Sequence, residues 1–114
     1  MHAPDSTERS PRWPAARAAH LAIEPACVVC GSTANLEVHH ILPFHVHPEL
    51  ELDPTNLITL CERAGHECHF VFGHYFDFQA WNPDVRTYAA AFRRAVLTAR
   101  IAEGVDPTQA DAVR

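Results

Sequence analysis

His39 and His40 stand side by side at the end of the alternating run Leu36-Glu37-Val38-His39-His40-Ile41. Successive strand side chains point to opposite faces, so one imidazole can ligate a metal while its neighbour stays off it. Neutral imidazole ligands leave a bound cation its full positive charge, free to act as Lewis acid and template. A free imidazole, with a reference pKa of about 6.5, is largely deprotonated at neutral pH and can take a proton from water. These are the parts that hydrolysis of a phosphodiester needs: a nucleophile made from water, a hold on the phosphate, and stabilisation of the leaving 3′ oxygen. Downstream, Asn56 carries both a donor and an acceptor and can tie a long loop back to the backbone beside His40, fixing the ring.

The four cysteines form a second constellation. Cys27-Val28-Val29-Cys30-Gly31 reads as a tight knuckle presenting two sulfurs, and Cys61 with Cys68 completes a tetrahedral set, the pattern of a structural zinc site. Cys27 and Cys30 alone could equally be a redox pair, but no thioredoxin-like βαβ pattern surrounds them. The opening residues lack the apolar run of a signal peptide and no segment resembles a membrane span, so the expected location is cytoplasmic, with no membrane association and with thiols kept reduced.

Short elements must position these residues. Residues 1–9 are polar and expected to be disordered; Ser10-Pro11 offers an N-cap and first-turn proline, and Trp13, Arg17 and Leu21 recur at helical spacing until Pro25. Trp13 and Leu21 should pack inward, with Arg12, Arg17 and His20 on a solvated face. A strand over 35–41 ends before Pro43, residues 44–54 read as a long irregular loop, and 57–60 form a second strand able to pair antiparallel with the first and deliver Cys61. Residues 69–76 suit a short buried helix distorted at Gly73, with Phe70, Phe72, Tyr75, Phe76 and Phe78 as core. Asn82-Pro83-Asp84 starts a last helix whose apolar stripe Val85, Tyr88, Ala89, Phe92, Val96 and Ala99 ends before Gly104. The expectation is one α+β domain over 10–104, followed by a frayed tail over 105–114.

Charge gives a mixed signal. The net charge of -5 disfavours a general nucleic-acid binder, yet all nine basic residues are arginine, the better bidentate phosphate ligand. Arg86, Arg93 and Arg100 fall seven apart along the last helix, a line that is either a phosphate track or a wet face.

Cys27-x-x-Cys30, Val38-His39-His40-Ile41-x-Pro43, Asn56-Leu57-Ile58-Thr59-Leu60-Cys61 and Cys68-His69 together resemble the zinc-bearing HNH endonucleases, a type often found in phages and prophages. The resemblance runs from about Trp13 to Val85. It implies a zinc-stapled ββα-metal domain with flanking helices, in which two antiparallel strands and a helix clasp one divalent cation. His39 and His69 would be metal ligands with His74 a third, His40 the general base and Asn56 the positioning residue. The implied activity is metal-dependent DNA cleavage leaving 5′-phosphate and 3′-hydroxyl ends, using Mg2+, Mn2+, Ni2+ or Zn2+ beside the structural zinc. DNA is the implied partner, together with phage packaging or other DNA-processing proteins. His66, inside the six residues separating Cys61 from Cys68, is an alternative ligand; His45 and His47 read as loop residues. The competing class is a zinc-stabilised nucleic-acid- or protein-binding module without catalysis, which explains the cysteines but leaves His39, His40, Asn56 and His69 without a role.

Overall fold

The computed structural model describes residues 9–104 of the 114; the expected frayed tail and all of the expected disordered N-terminus except Arg9 lie outside them. Four regular elements follow in order: helix α1 (Trp13–Ile23), strand β1 (Leu36–His40), strand β2 (Leu57–Cys61) and helix α2 (Val85–Ala102). Between β2 and α2 lies a π-helical turn, His69–Gly73.

Helix α1 begins two residues later than the Ser10 cap predicts. Ser10 instead builds a turn, its carbonyl accepting from Trp13 N at 2.9 Å and its hydroxyl from Arg12 N at 3.1 Å. Proline explains the shift. With Ser10 as cap, Pro14 would occupy the position of the first intrahelical donor, whereas with Arg12 as cap it falls in the first turn, where no N–H is needed. Pro25 ends the helix as expected, and Glu24 N closes it on His20 O at 2.8 Å.

Strands β1 and β2 pair antiparallel, with Leu36 opposite Cys61 and His40 opposite Leu57. Such a short hairpin is marginal alone, so both faces are covered. Leu60 and His39 face the π-helical turn, lying against Gly73; Thr59 faces the end of α1, its hydroxyl donating to Glu24 O at 2.8 Å. All of β2 is buried, which is why it reads as a continuous apolar run. The core joins Val29, Ile58, Leu60, Val85 and Ala89 to Cys27, Cys61 and Cys68.

The connection over residues 41–56 is less irregular than expected. It contains two 3-10 turns, Pro48–Leu50 and Pro54–Asn56, the latter capped by the Asp53 carboxylate accepting from Thr55 N at 2.9 Å. Helix α2 is fully buried only near its N-terminal end, at Val85 and Ala89; farther along Phe92 meets Phe72 with 5.3 Å between ring centres and Arg93 lies over Gly31, while Tyr88 and Phe92 stay about half exposed and Ala99 is exposed. Of the aromatic run expected in the core, Phe72 packs against it and Phe70 is half-buried, while Tyr75, Phe76 and Phe78 are exposed.

Glu24 ties three elements together. One carboxylate oxygen accepts from Thr59 N at 2.9 Å, His20 Nε2 at 2.9 Å and Arg86 at 3.1 Å; the other accepts from Arg86 at 2.9 Å. Burial pushes this carboxyl up, but hydrogen bonds led by Arg86 outweigh it and hold the group below its ordinary value. His20 is accordingly buried rather than on a solvated face, and Arg17 reaches Leu36 O at 3.4 Å; Arg12 alone of the three is exposed. Replacing Glu24 by Gln should cost roughly 1.5–3 kcal/mol, the usual worth of hydrogen bonds to a charged group. Urea unfolding of the zinc-saturated protein at pH 7 measures it, and parental stability in the variant would refute the tie.

Candidate metal centre and active site

The end of β1 separates its two histidines as strand geometry requires. His39 faces the π-helical turn and is buried; His40 faces α1, its ring 4.6 Å from that of Trp13. On a regular helix His69 and His74 would lie about 140° apart. The wider π-helical turn, ended at His74 where φ is -125°, brings their Nε2 atoms to 3.2 Å. Gly73 is needed here for space: a Cβ would sit 3.1 Å from His39 Nε2 and 3.2 Å from its Cε1. The carbonyls released by this geometry are satisfied by the fully buried Asn82, which donates from its side chain to Phe72 O at 3.1 Å and from its backbone to Gly73 O at 3.0 Å. Asn82 Oδ1 also accepts from Asp84 N at 2.9 Å and from the Tyr75 hydroxyl at 2.8 Å. Asn82 therefore caps the turn into α2, and the helix proper starts at Val85 rather than at Pro83.

Hydrogen bonding sets the tautomers. His74 Nδ1–H donates to Ala80 O at 2.8 Å, and His69 Nδ1–H donates to the Glu62 carboxylate at 2.7 Å. Both Nε2 atoms are then lone pairs turned on one another, with His39 Nδ1 only 3.0 Å from His69 Nε2. Facing lone pairs repel unless a cation lies among them. Ligands held about 2.0–2.1 Å from one ion are about 2.8–3.4 Å apart between right and tetrahedral angles, so these spacings fit a metal. Burial, reinforced by the neighbouring histidines, pushes His39 down to about 3, and burial also lowers His74; neutral imidazole is the ligand form. His39 Nε2 is buried without a hydrogen-bond partner, packed against Gly73.

His40 stays outside this cluster. Its Nε2–H donates to the buried Glu51 carbonyl at 2.9 Å, which leaves Nδ1 as the basic nitrogen, and burial lowers its pKa despite that carbonyl. Asn56 clamps the same loop: its Oδ1 accepts from Leu42 N at 2.9 Å, and its Nδ2 donates to Leu42 O at 3.0 Å and Leu50 O at 3.4 Å. It thus grips the backbone two residues beyond His40 and one residue before Glu51. The histidines line a cleft of about 300 Å³ with Phe44, His45, Phe78 and Trp81 on its walls.

The four cysteines are free thiols with all four Sγ atoms within 4.8 Å of one another. Cys30 Sγ and Cys61 Sγ are 3.6 Å apart, near the roughly 3.8 Å between sulfurs of a tetrahedral zinc site with 2.3 Å bonds. Hydrogen bonding from Cys68 holds Cys27 down to about 5, burial drives Cys30 up to about 12, and the bond to Cys27 followed by burial raises Cys68. Such a set becomes fully ionised only with a cation at its centre. The long Cys61-to-Cys68 spacing is absorbed by a turn in which Arg63 O accepts from His66 N and Glu67 N, each at 2.9 Å.

The remaining candidates are dispersed. His66 lines a separate pocket of about 290 Å³ beside Cys30 and Cys68, together with Arg93 and Arg100, and does not join the triad. His47 pairs with Glu49 at 3.3 Å, and His45 sits edge-on to Trp81 with 6.4 Å between ring centres. The three arginines of α2 do not form an open row. Arg86 is engaged by Glu24 and by Leu57 O at 2.9 Å, Arg93 lies over Gly31, and Arg100 buries an Nη1 that has no hydrogen-bond partner. Sequence reasoning missed Glu62, the Glu51 and Ala80 carbonyls, Asn82 as a hub, and Arg9 on the cleft wall. Only Asn82, next to Pro83, carried a signal, and it read as a helix cap.

Residues 27–69 match the family model described as HNH endonuclease, from the first cysteine to His69, leaving His74 and α2 beyond it. No curated protein and no solved structure matches the chain. Among the described residues, no helix is long and apolar enough to cross a membrane.

Two classes of metal site should be separable. Gly73→Ala is expected to retain zinc on the cysteines while weakening a titrated second metal roughly 10- to 100-fold, the effect of disturbing a ligand's supporting contacts. Elemental analysis with calorimetric Mn2+ titration reads both; undiminished Mn2+ affinity would show that His39 is not a ligand.

Proposed function

We propose, with an HNH endonuclease domain at residues 27–69 as the premise, that this chain is a metal-dependent endonuclease hydrolysing DNA phosphodiesters by a one-metal mechanism. The observation that carries the reading is the convergence of His39 Nδ1, His69 Nε2 and His74 Nε2 beside an uncoordinated His40 whose Nδ1 is left basic. Cys27, Cys30, Cys61 and Cys68 would hold a structural zinc ion. His39, His69 and His74 would hold a divalent cation, Mg2+, Mn2+, Ni2+ or Zn2+, which when bound would supply Lewis acidity for phosphodiester hydrolysis.

His40 Nδ1 accepts a proton from the attacking water as the new oxygen–phosphorus bond forms. The bond to the 3′ oxygen breaks, that oxygen takes up a proton from solvent water, and His40 later releases its proton to solvent, giving 5′-phosphate and 3′-hydroxyl ends. Trp13 and the Glu51 carbonyl fix the His40 ring from two sides. Asn56 is a positioning residue: by holding Leu42 and Leu50 it fixes the carbonyl that sets the His40 tautomer. Glu62 sets the tautomer of His69 and strengthens it as a ligand. DNA is the proposed partner in a cytoplasmic setting, with DNA-packaging or other DNA-processing proteins as collaborators.

Nicking of supercoiled plasmid tests the reading. The parent should cut only with divalent metal. His40→Ala should lose about 100- to 10,000-fold, the usual span of a general base, with bound zinc retained. Equal cutting by parent and variant would remove His40 from the mechanism, and an inert parent under every metal would favour a binding module. Asn56→Ala should also be slowed at normal zinc content, whereas unchanged nicking would dismiss its positioning role.

A further inference from the structure

Arg9 lies outside residues 27–69 and outside every element that carries the candidate chemistry. The polar sequence around it carries no apolar periodicity, yet its guanidinium carbon sits 4.8 Å from the centre of the Phe44 ring and 5.3 Å from that of Trp13. The same Trp13 ring stacks on His40 at 4.6 Å, so one aromatic surface supports both Arg9 and the candidate base. The chain enters this position in a fixed way, because the next residue, Ser10, donates its N–H to the Glu51 carboxylate at 3.0 Å. Glu51 in turn accepts from His40 through its carbonyl.

Contact with aromatic faces orients a guanidinium without neutralising it, and its in-plane N–H donors stay available. Among the described residues Arg9 has no carboxylate partner. Among the described residues it is also the only arginine lining the cleft, where Glu37 is the only described carboxylate. A chain with a net charge of -5 and no lysine has few ways to draw a polyanion into such a cleft. The arginine row on α2 does not supply one there, since Arg86 is committed to Glu24.

We propose that Arg9 binds a backbone phosphate of the DNA strand seated in this cleft, on the His40 side. The inference rests on the nuclease reading. The contact is a binding one: Arg9 supplies charge and a planar donor pair, and no proton transfer is assigned to it.

The test is binding of a fluorescein-labelled duplex of arbitrary sequence, followed by anisotropy over a range of NaCl concentrations in Mg2+ buffer. His40→Gln is the background for every protein, so that the duplex stays intact. One lost phosphate contact removes about 0.9 from the slope of log affinity against log salt, which amounts to an order of tenfold in affinity at about 0.1 M salt. Arg9→Gln should show both changes, and Arg9→Lys, which keeps the charge, should keep the slope. A parental slope in Arg9→Gln overturns the proposal. So does weaker binding with the slope unchanged, since that would make Arg9 a packing residue for Trp13 and Phe44. Plasmid nicking by the wild-type chain together with either of those results would sink the phosphate contact while leaving the nuclease reading standing. A chain that neither nicks plasmid nor binds the duplex at low salt removes both.

Discussion

Four sulfurs drawn within 4.8 Å of one another are the constraint on which this small fold depends. They come from the knuckle after α1, the last residue of β2, and the residue just before the π-helical turn. Each segment is too short to hold its place unaided, and the buried apolar side chains around them are few. Cys68 directly precedes His69, and Cys61 ends the strand that pairs with the one carrying His39. The sulfur cluster thus lies one peptide bond from His69 and reaches His39 through the hydrogen-bonded strand pair. Gathering the first sets the approach of the second.

Within that frame, the site separates two jobs for one kind of side chain. His39, His69 and His74 turn lone pairs on a common point, while His40, one residue away, is hydrogen-bonded to a carbonyl and kept off it. Burial keeps His39, His40 and His74 neutral. Neutral ligands would leave a bound cation its full charge, and a neutral imidazole can take a proton, as the proposed hydrolysis requires. The separation needs an uncommon piece of backbone: a π-helical turn brings two histidines five residues apart to the same side, as such turns often do at functional sites. Asn82 satisfies the peptide groups that this turn releases.

Much of this was legible from residue types and spacing. The alternation ending at His39-His40, the apolar run into Cys61 and the four cysteines specify a hairpin and a sulfur cluster, and the structure has both. The pairing of His69 with His74 was visible only as a conflict, because helical phase separates them; the π-helical turn removes the conflict, and no sequence period announces it. Local rules misplaced both helix starts, since Pro14 at the first and Asn82 at the second redirect the chain. Arg17 and Arg86 read as surface charge because their partners, Leu36 O and Glu24, are remote in sequence, and His20 because the network that buries it joins the nearby Glu24 to the distant Thr59 and Arg86. Glu62, Ala80 and Arg9 act through contacts that no motif encodes, two of them through a single hydrogen bond and one through aromatic faces.

The central claim is that three of these imidazoles share a cation and the fourth does not. The direct measurement is nitrogen-15 NMR of the histidine rings, starting from protein loaded with one equivalent of zinc and adding a second. The account predicts that His39 Nδ1, His69 Nε2 and His74 Nε2 move together to metal-bound values while His40 keeps its Nε2–H tautomer. A second equivalent that shifts His40, or leaves the other three unmoved, would contradict it.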